Sequence, residues 1–235
     1  MFWNRKTNSV ELVQAKLDMI DFAFTTFGLK SFADLGGIWG VNGGYTFYAL
    51  DNHKLKEAVL VDTNFNEIVE KRAKSRQQLR FIKGNFGDEK VAHEVGQVDA
   101  IFLFDVLLHQ VDPNWDRILE MYAPNVKCLI IYNQQWLGSE HTVRLLDLGE
   151  DAYFQNVPHN KTEEVYSGLF QKLNQKHPDH DRKWKDVHNI WQWGITDIDL
   201  KEKIESLGFR LQFYKNCGMF VNLKNFENHA YVFTK

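Results

Sequence analysis

Cysteine is scarce in this chain. Cys128 and Cys217 are the only two in 235 residues, too few for a disulfide framework and too far apart for a C-x-x-C redox or metal motif. Such usage fits a reducing compartment, and a cytoplasmic protein is the expectation. Proline is also rare, at four residues, and there is no internal repeat or low-complexity tract, which excludes collagen-like and Pro-rich linker chains. No run approaches the roughly 18 apolar residues of a membrane span, and the opening MFWNRKTNSV lacks the apolar stretch of a secretory signal. Neither sign of charge dominates: 28 Lys and Arg meet 31 Asp and Glu, a formal net charge of −3. The counterion release that drives non-specific nucleic-acid affinity has little to work with, so nucleic acid is not an expected partner. The densest basic cluster, Lys71, Arg72, Lys74 and Arg76, follows apolar residues at helical spacing and reads as a solvated helix face.

What is present is ordinary globular material, 44% hydrophobic and 25% charged. The length suits one domain of roughly 150 to 250 residues. Val10, Val13, Leu17, Ile20, Phe24 and Phe27 recur at three- and four-residue steps. This spacing predicts an amphipathic helix over 9–27, with Ser9 as N-cap and Gly28 beyond the C-terminus, so residues 1–28 form a covering helix. Burying six such side chains contributes on the order of 10 kcal/mol before entropy, which marks the helix as core rather than membrane anchor. Apolar runs at Ser31–Leu35, Ala58–Asp62, Leu79–Lys83, Ala100–Phe104 and Cys128–Tyr132 then alternate with helical patterns. That rhythm is βαβ, and strands apolar on both faces indicate a parallel sheet covered on two sides. The class is α/β, an open doubly wound sheet. After Tyr132 the rhythm breaks: residues 138–194 are rich in His, Trp, Asn and Lys and read as an insertion. Regularity returns at Thr196, a cap for a helix to Leu207, before strand patterns at Phe209–Tyr214 and Ala230–Phe233.

Ligands of open α/β sheets bind beyond the carboxyl ends of the strands. The first strand runs into Asp34-Leu35-Gly36-Gly37-Ile38-Trp39-Gly40-Val41-Asn42-Gly43-Gly44, a turn dense in glycine, as close approach of a ligand to backbone requires. The second ends in Asp62, 22 residues after Gly40, where a carboxylate can accept both hydroxyls of a ribose. No register supplies G-x-G-x-x-G, and GxxxxGK[ST] is missing, so neither a pyrophosphate nor a P-loop nucleotide is indicated. The ordinary alternative is a tight strand-to-helix turn with a solvent-facing Asp62.

The order of Asp34-Leu35-Gly36-Gly37, Val-Leu-Val-Asp62, Gly84-Asn85-Phe86, Val98-Asp99-Ala-Ile-Phe-Leu-Phe-Asp105-Val-Leu-Leu-His109 and Leu207-Gly208-Phe209 resembles class I S-adenosylmethionine-dependent methyltransferases, over residues 31–135 and 196–235. The resemblance implies a single domain over 1–235: a mostly parallel seven-stranded Rossmann-like sheet in the order 3-2-1-4-5-7-6, with a helical lid, 138–194, inserted on the acceptor side between strand 5 and the last helix. It also implies S-adenosylmethionine as cofactor. Asp34, Gly36 and Gly40 would shape the pocket for its methionine end, Asp62 would hold the ribose, Asn85 and Phe86 would meet adenine, and Asp105 and Val106 would lie beside the amino acid tail and sulfonium. Ile38 stands where the family loop D-x-G-x-G-x-G has its middle glycine.

Methyl transfer from a sulfonium is an in-line displacement that requires alignment in a dry pocket and no covalent residue. His109 is the candidate base for a hydroxyl acceptor; a hydrogen-bonded structural histidine is the alternative. Asn133, Gln135 and Trp136, in a loop after strand 5, and Arg144 and His188 in the insertion, with Trp184, Trp191 and Trp193, are candidates for binding a small-molecule, carbohydrate-like acceptor; packing is their alternative. No metal site is expected: His177-Pro178-Asp179-His180-Asp181 lacks a third ligand at a recognised spacing, and His93-Glu94 fails as HExxH because Gln97 closes it. Asp112 reads as the N-cap of a helix with Pro113 at its first position. Two other activities stay open, an NAD(P)-dependent oxidoreductase and a catalytically silent S-adenosylmethionine-binding protein.

Overall fold

The computed structural model describes residues 11–235, so the expected contributions of Ser9 and Val10 to the first helix lie outside the described residues. In chain order the main elements are α1 (Gln14–Phe27), β1 (Ser31–Leu35), α2 (Gly44–Asn52), β2 (Glu57–Asp62), α3 (Glu67–Ala73), β3 (Leu79–Lys83), α4 (Glu89–Val95), β4 (Ala100–Phe104), α5 (Trp115–Tyr122), β5 (Cys128–Trp136), β6 (Val143–Arg144), α6 (Glu150–Gln155), α7 (Leu169–Lys172), β7 (Trp193–Gly194), α8 (Asp197–Ser206), β8 (Arg210–Met219) and β9 (Phe226–Thr234). Seven strands form one sheet in the order β3-β2-β1-β4-β5-β9-β8. β1 pairs in parallel with β2 and β4, and β2 with β3, while β8 and β9 are antiparallel. The chain divides into two compact units, one ending at Phe104 and including Asn125–Ile131, the other made of Asp105–Pro124 and Tyr132–Lys235.

In the first unit Ala58, Val59, Leu60 and Val61 of β2 and Ile101, Phe102 and Leu103 of β4 are wholly buried, as expected for strands covered on both faces. α1 buries Lys16, Met19, Ile20, Ala23 and Phe24 and ends at Gly28 in the left-handed conformation (φ 61°). Phe24 packs edge-on against Phe32 at 5.8 Å, and Phe32 stacks on Phe102 at 4.4 Å. Of the expected inward positions Ile20 and Phe24 are buried, the stripe opens at Ala15 and Lys16, and Val13, the N-cap residue before the helix, is exposed. Of the basic cluster, Arg72 on α3 lies over the Phe47 ring at 4.0 Å, and Arg76, in the turn beyond the helix, pairs with Asp51 at 2.7 Å.

In the second unit β5 continues to Trp136, with all nine residues buried. The expected loop at 133–136 is therefore strand: Gln135 bridges in parallel to Ile195, and the Trp136 N–H donates to the Ile195 carbonyl at 2.7 Å. Backbone pairing here outweighs the polarity of Asn133, Gln134 and Gln135 that made the segment read as a loop. The ends of the insertion are tied by β6 and β7, which pair Val143 with Gly194 and Arg144 with Trp193. Between them lies an apolar cluster that includes Leu145, Tyr153, Leu169, Ile190 and Trp191, continuous with Trp136 and Phe226. Asp112 does not cap α5. It has φ 49°, outside the extended geometry of an N-cap, and Asn114 holds that position. Thr196 caps α8 as expected, its hydroxyl accepting the Asp199 N–H at 3.2 Å.

Candidate functional site

At the carboxyl ends of β1 and β2 the glycine turn is fastened from both sides. The Gly36 N–H donates to the Val61 carbonyl at 2.8 Å, and the Ile38 N–H donates to Asp62 Oδ2 at 3.0 Å. Asp62 Oδ1 accepts the Asn64 N–H at 3.3 Å. Gly36, Gly40 and Gly43 have φ values of 78°, 73° and 69°, which glycine adopts without the Cβ penalty. Ile38 has no such φ, is buried, and supplies the amide that reaches Asp62, so the family's middle glycine is not required by this loop. Gly37 is required, because a Cβ there would collide with the Asp34 carboxylate. A Cβ on Gly40 would meet nothing within 4 Å, and Trp39 beside it is 90% exposed. Among these glycines the open space lies at Gly40, while Gly37, Gly43 and Gly44 are packed against Asp34, Phe47 and Leu12.

Asp34 is buried and accepts the Thr46 hydroxyl on Oδ2 at 2.6 Å. Burial pushes its carboxyl from 3.8 up to about 7; the Thr46 hydroxyl opposes the rise, nearby Asp62 adds to it, and Lys16 draws it down. Between about pH 3.8 and 7 the folded chain keeps a proton that the unfolded chain has lost, so unfolding releases it and stability falls as pH rises through that window, then levels off. Denaturant titrations of wild type and Asp34→Asn should therefore diverge with pH: the wild type loses stability relative to the variant from pH 4 to 7, and a pH-independent difference would refute the assignment. Further along, Asn85 Oδ1 accepts the Gly87 N–H at 2.9 Å, and Phe86 is buried.

In the second unit Asp105 has φ 58°, unusual for a residue with a side chain and a mark of local strain. It is held by its N–H to the Tyr132 carbonyl at 2.8 Å and by the Gln134 amide donating to Oδ1 at 2.7 Å. Val106 follows it and precedes the 3-10 turn Leu107–His109. His109 Nδ1 lies 2.8 Å from the Ile190 carbonyl. A carbonyl only accepts, so Nδ1 carries the hydrogen and Nε2 the lone pair. Burial holds this imidazole below its ordinary pKa, against the Ile190 carbonyl and Asp105, which raise it. The neutral ring therefore keeps its lone pair on Nε2. Cys128 is no nucleophile, since burial pushes its thiol up to about 12.

The acceptor-side candidates have varied surroundings. Asn133 and Gln135 are wholly buried, and neither amide atom of Gln135 nor Asn133 Oδ1 has a partner among the described residues. Trp136 is packed in the core. Arg144 donates to the Lys185 carbonyl and to Asp186 at 3.0 Å. His188 accepts from Arg182 on Nε2, leaving Nδ1 as a buried donor without a partner among the described residues. Burial lowers its pKa to about 4, with Arg182 assisting. Reading the sequence missed Lys16 and Thr46, which act on Asp34. The signal for Lys16 was available: it is a cation in the apolar stripe of α1.

A scan against models of known families finds no match, and no curated protein matches in sequence. Solved structures do match. The N-terminal domain of EvdMO1, crystallised in the presence of SAH and D-fucose, superposes with TM-score 0.58 and 11% identity, covering 95% of this chain and 84% of its own. The 1,6-didemethyltoxoflavin-N1-methyltransferase of Burkholderia thailandensis, with S-adenosylhomocysteine bound, gives 0.56 and 12%, covering 94% and 78%. The magnesium protoporphyrin IX methyltransferase of Synechocystis, also with SAH bound, gives 0.57 and 10%, covering 94% and 82%. The chain has the class I methyltransferase fold. In this fold the last strand of the chain, β9, enters between β5 and β8, unlike the 3-2-1-4-5-6 order of the dinucleotide-binding sheet. A Tyr-x-x-x-Lys spacing does occur at Tyr231 and Lys235, but Tyr231 lies on β9 and its hydroxyl donates to Asp197 at 2.5 Å, while Lys235 donates to the Ala123 carbonyl. These are structural bonds, and they give no support to the oxidoreductase alternative. Among the described residues there is no group of three metal-ligating side chains, and no helix is long and apolar enough to cross a membrane.

Proposed function

We propose that this protein is a cytoplasmic S-adenosylmethionine-dependent methyltransferase acting on a small-molecule, carbohydrate-like acceptor. The observation that carries the proposal is the clasp of the glycine turn onto Asp62, in a sheet with the methyltransferase strand order. The residues fit the cofactor: Gly36 turns the chain at φ 78° and Gly40 gives bare backbone beside open space, Asp62 is a partly exposed carboxylate for ribose hydroxyls, and Asn85 with Phe86 offers an amide and an aromatic wall for adenine. Asp34, Asp105 and Val106 are assigned to the amino acid end and sulfonium. S-Adenosylmethionine, when bound, supplies a methyl group already activated for displacement.

The work left to the chain is binding, orientation and proton removal. His109 Nε2 takes the proton of an acceptor hydroxyl, and its Nδ1–H···O=C bond to Ile190 fixes the tautomer that makes this possible. Asn133, Gln135 and the His188 Nδ1–H offer hydrogen bonds to a polyhydroxylated acceptor, with Trp136 and Arg144 shaping the same unit. The D-fucose present with EvdMO1 supports a carbohydrate-like acceptor here. Isothermal titration of S-adenosylmethionine into the protein tests the proposal. One binding event per chain is expected, with a matching rise in thermal stability. No heat and no stabilisation at millimolar ligand would end the reading. Turnover with a panel of sugar acceptors separates an enzyme from a silent binding protein.

A further inference from the structure

The polar residue between Asn133 and Gln135 has a different task. Side chains alternate along a strand, so Gln134 on β5 projects to the face opposite those two. It is 3% exposed, and its Nε2 donates twice, to Asp105 Oδ1 at 2.7 Å and to Asn228 Oδ1 at 3.1 Å. A carboxylate only accepts, so the orientation of the amide is settled, and both of its hydrogens are used. Asp105 follows Phe104, the last residue of β4, at a strand end of the kind where ligands of such sheets bind. Asn228 lies on β9, the neighbour of β5 on the side away from β4. One side chain thus ties the residue after β4 to the strand beyond β5. The residue so tied is the one with φ 58°, a conformation that residues with a side chain adopt rarely.

We propose that Gln134 is a positioning residue: it aims the Asp105 carboxylate at the amino acid end of the cofactor. A carboxylate on a turn rotates about two side-chain bonds, and a bond to one of its oxygens fixes it before the ligand arrives, so less freedom is lost on binding. The burial of Gln134 shelters that bond from water, which strengthens it. The amide is neutral and holds Asp105 without cancelling the charge that a ligand ammonium would meet, as a lysine in its place would. This inference rests on the function proposed above, which assigns Asp105 to the amino acid end, and adds the residue that presents it.

The test is titration calorimetry with S-adenosylhomocysteine and 5′-methylthioadenosine, which share the nucleoside thioether and differ in the amino acid end. Gln134→Met preserves the reach of the side chain and removes both donors. It should weaken the homocysteine compound by about tenfold, the scale of one charge-assisted hydrogen bond, and leave methylthioadenosine within about twofold of wild type. In an Asp105→Gly background, where glycine suits the positive φ and the carboxylate is gone, the same substitution should cost the homocysteine compound less than about twofold, because two residues that act as a unit are not additive. Equal weakening of both ligands would mark a merely structural role. That result, wild-type affinity in Gln134→Met, or the same loss in both backgrounds would overturn the inference. Should Gln134→Met fail to fold, Asn228→Ala decides: it frees one hydrogen of the amide at a half-buried position, and a loss confined to the homocysteine compound supports the tie, whereas unchanged affinity or an equal loss of both ligands refutes it. A wild type that binds neither nucleoside refutes instead the functional reading on which the inference rests.

Discussion

Trp136→Ala is expected to destabilise the protein by about 3–5 kcal/mol, the usual cost of truncating a buried tryptophan. Trp136 ends β5 and is 5% exposed. Two glycines lie against its indole: a Cβ on Gly138 would collide with the ring, and one on Gly194 would come within 2.7 Å of Cγ. Phe226 packs at 5.1 Å between centroids, and Nε1 donates to the Ser139 hydroxyl at 2.7 Å. Glycines have no side chain with which to collapse into the space, so the truncation leaves a cavity at the base of the insertion, where β6 and β7 join. Urea titration followed by circular dichroism should show a lower midpoint with an unchanged slope. Trp136→Phe should recover part of the loss, because it restores ring volume without the Ser139 bond. A loss below 1 kcal/mol would show that the insertion does not depend on this ring.

The reason for expecting so large an effect also explains what could be read from the sequence. β1 to β4 were legible because each is a run of five or six mostly apolar residues bounded by polar ones, a pattern that depends on no distant partner. The last four residues of β5 were not, since Asn133, Gln134 and Gln135 are polar, and the pairing that makes strand of them, such as that of Gln135 and Trp136 with Ile195, is with a distant segment. The limits of the insertion showed as a break in rhythm. Its core did not, because α6 and α7 have six and four residues, too short for a helical period to register. At the site, Asp62 and the glycine turn were visible because ribose and close backbone approach each demand one residue type at one place. Thr46 stayed hidden because its role exists only through the fold, which brings its hydroxyl to Asp34. On α1, counting apolar positions found Ile20 and Phe24 but not Lys16, which is buried one turn before them, and it placed Val13 inside a helix that starts only at Gln14.

Asp62→Ala is expected to weaken S-adenosylmethionine binding by about 1–3 kcal/mol, the scale of charge-assisted hydrogen bonds lost from a ligand. The carboxylate has two tasks. One is the proposed contact with the ribose hydroxyls; the other is to accept the Ile38 amide on Oδ2, which holds the glycine turn, together with the longer bond from the Asn64 amide on Oδ1. Removal of the second alone would loosen the loop in the free protein as well as in the complex. Asp62→Asn distinguishes the two, since its amide oxygen still accepts from Ile38 while the charge toward the ribose is gone. If ribose binding is the larger part, Asn and Ala should weaken affinity to a similar degree, and the unliganded melting temperature of Asp62→Asn should stay near wild type. If the clasp is the larger part, Asn should bind nearly as well as wild type and Ala should lose both affinity and thermal stability. Wild-type affinity in both variants, by calorimetry, would place the nucleoside away from the end of β2 and remove the observation on which the proposed function stands.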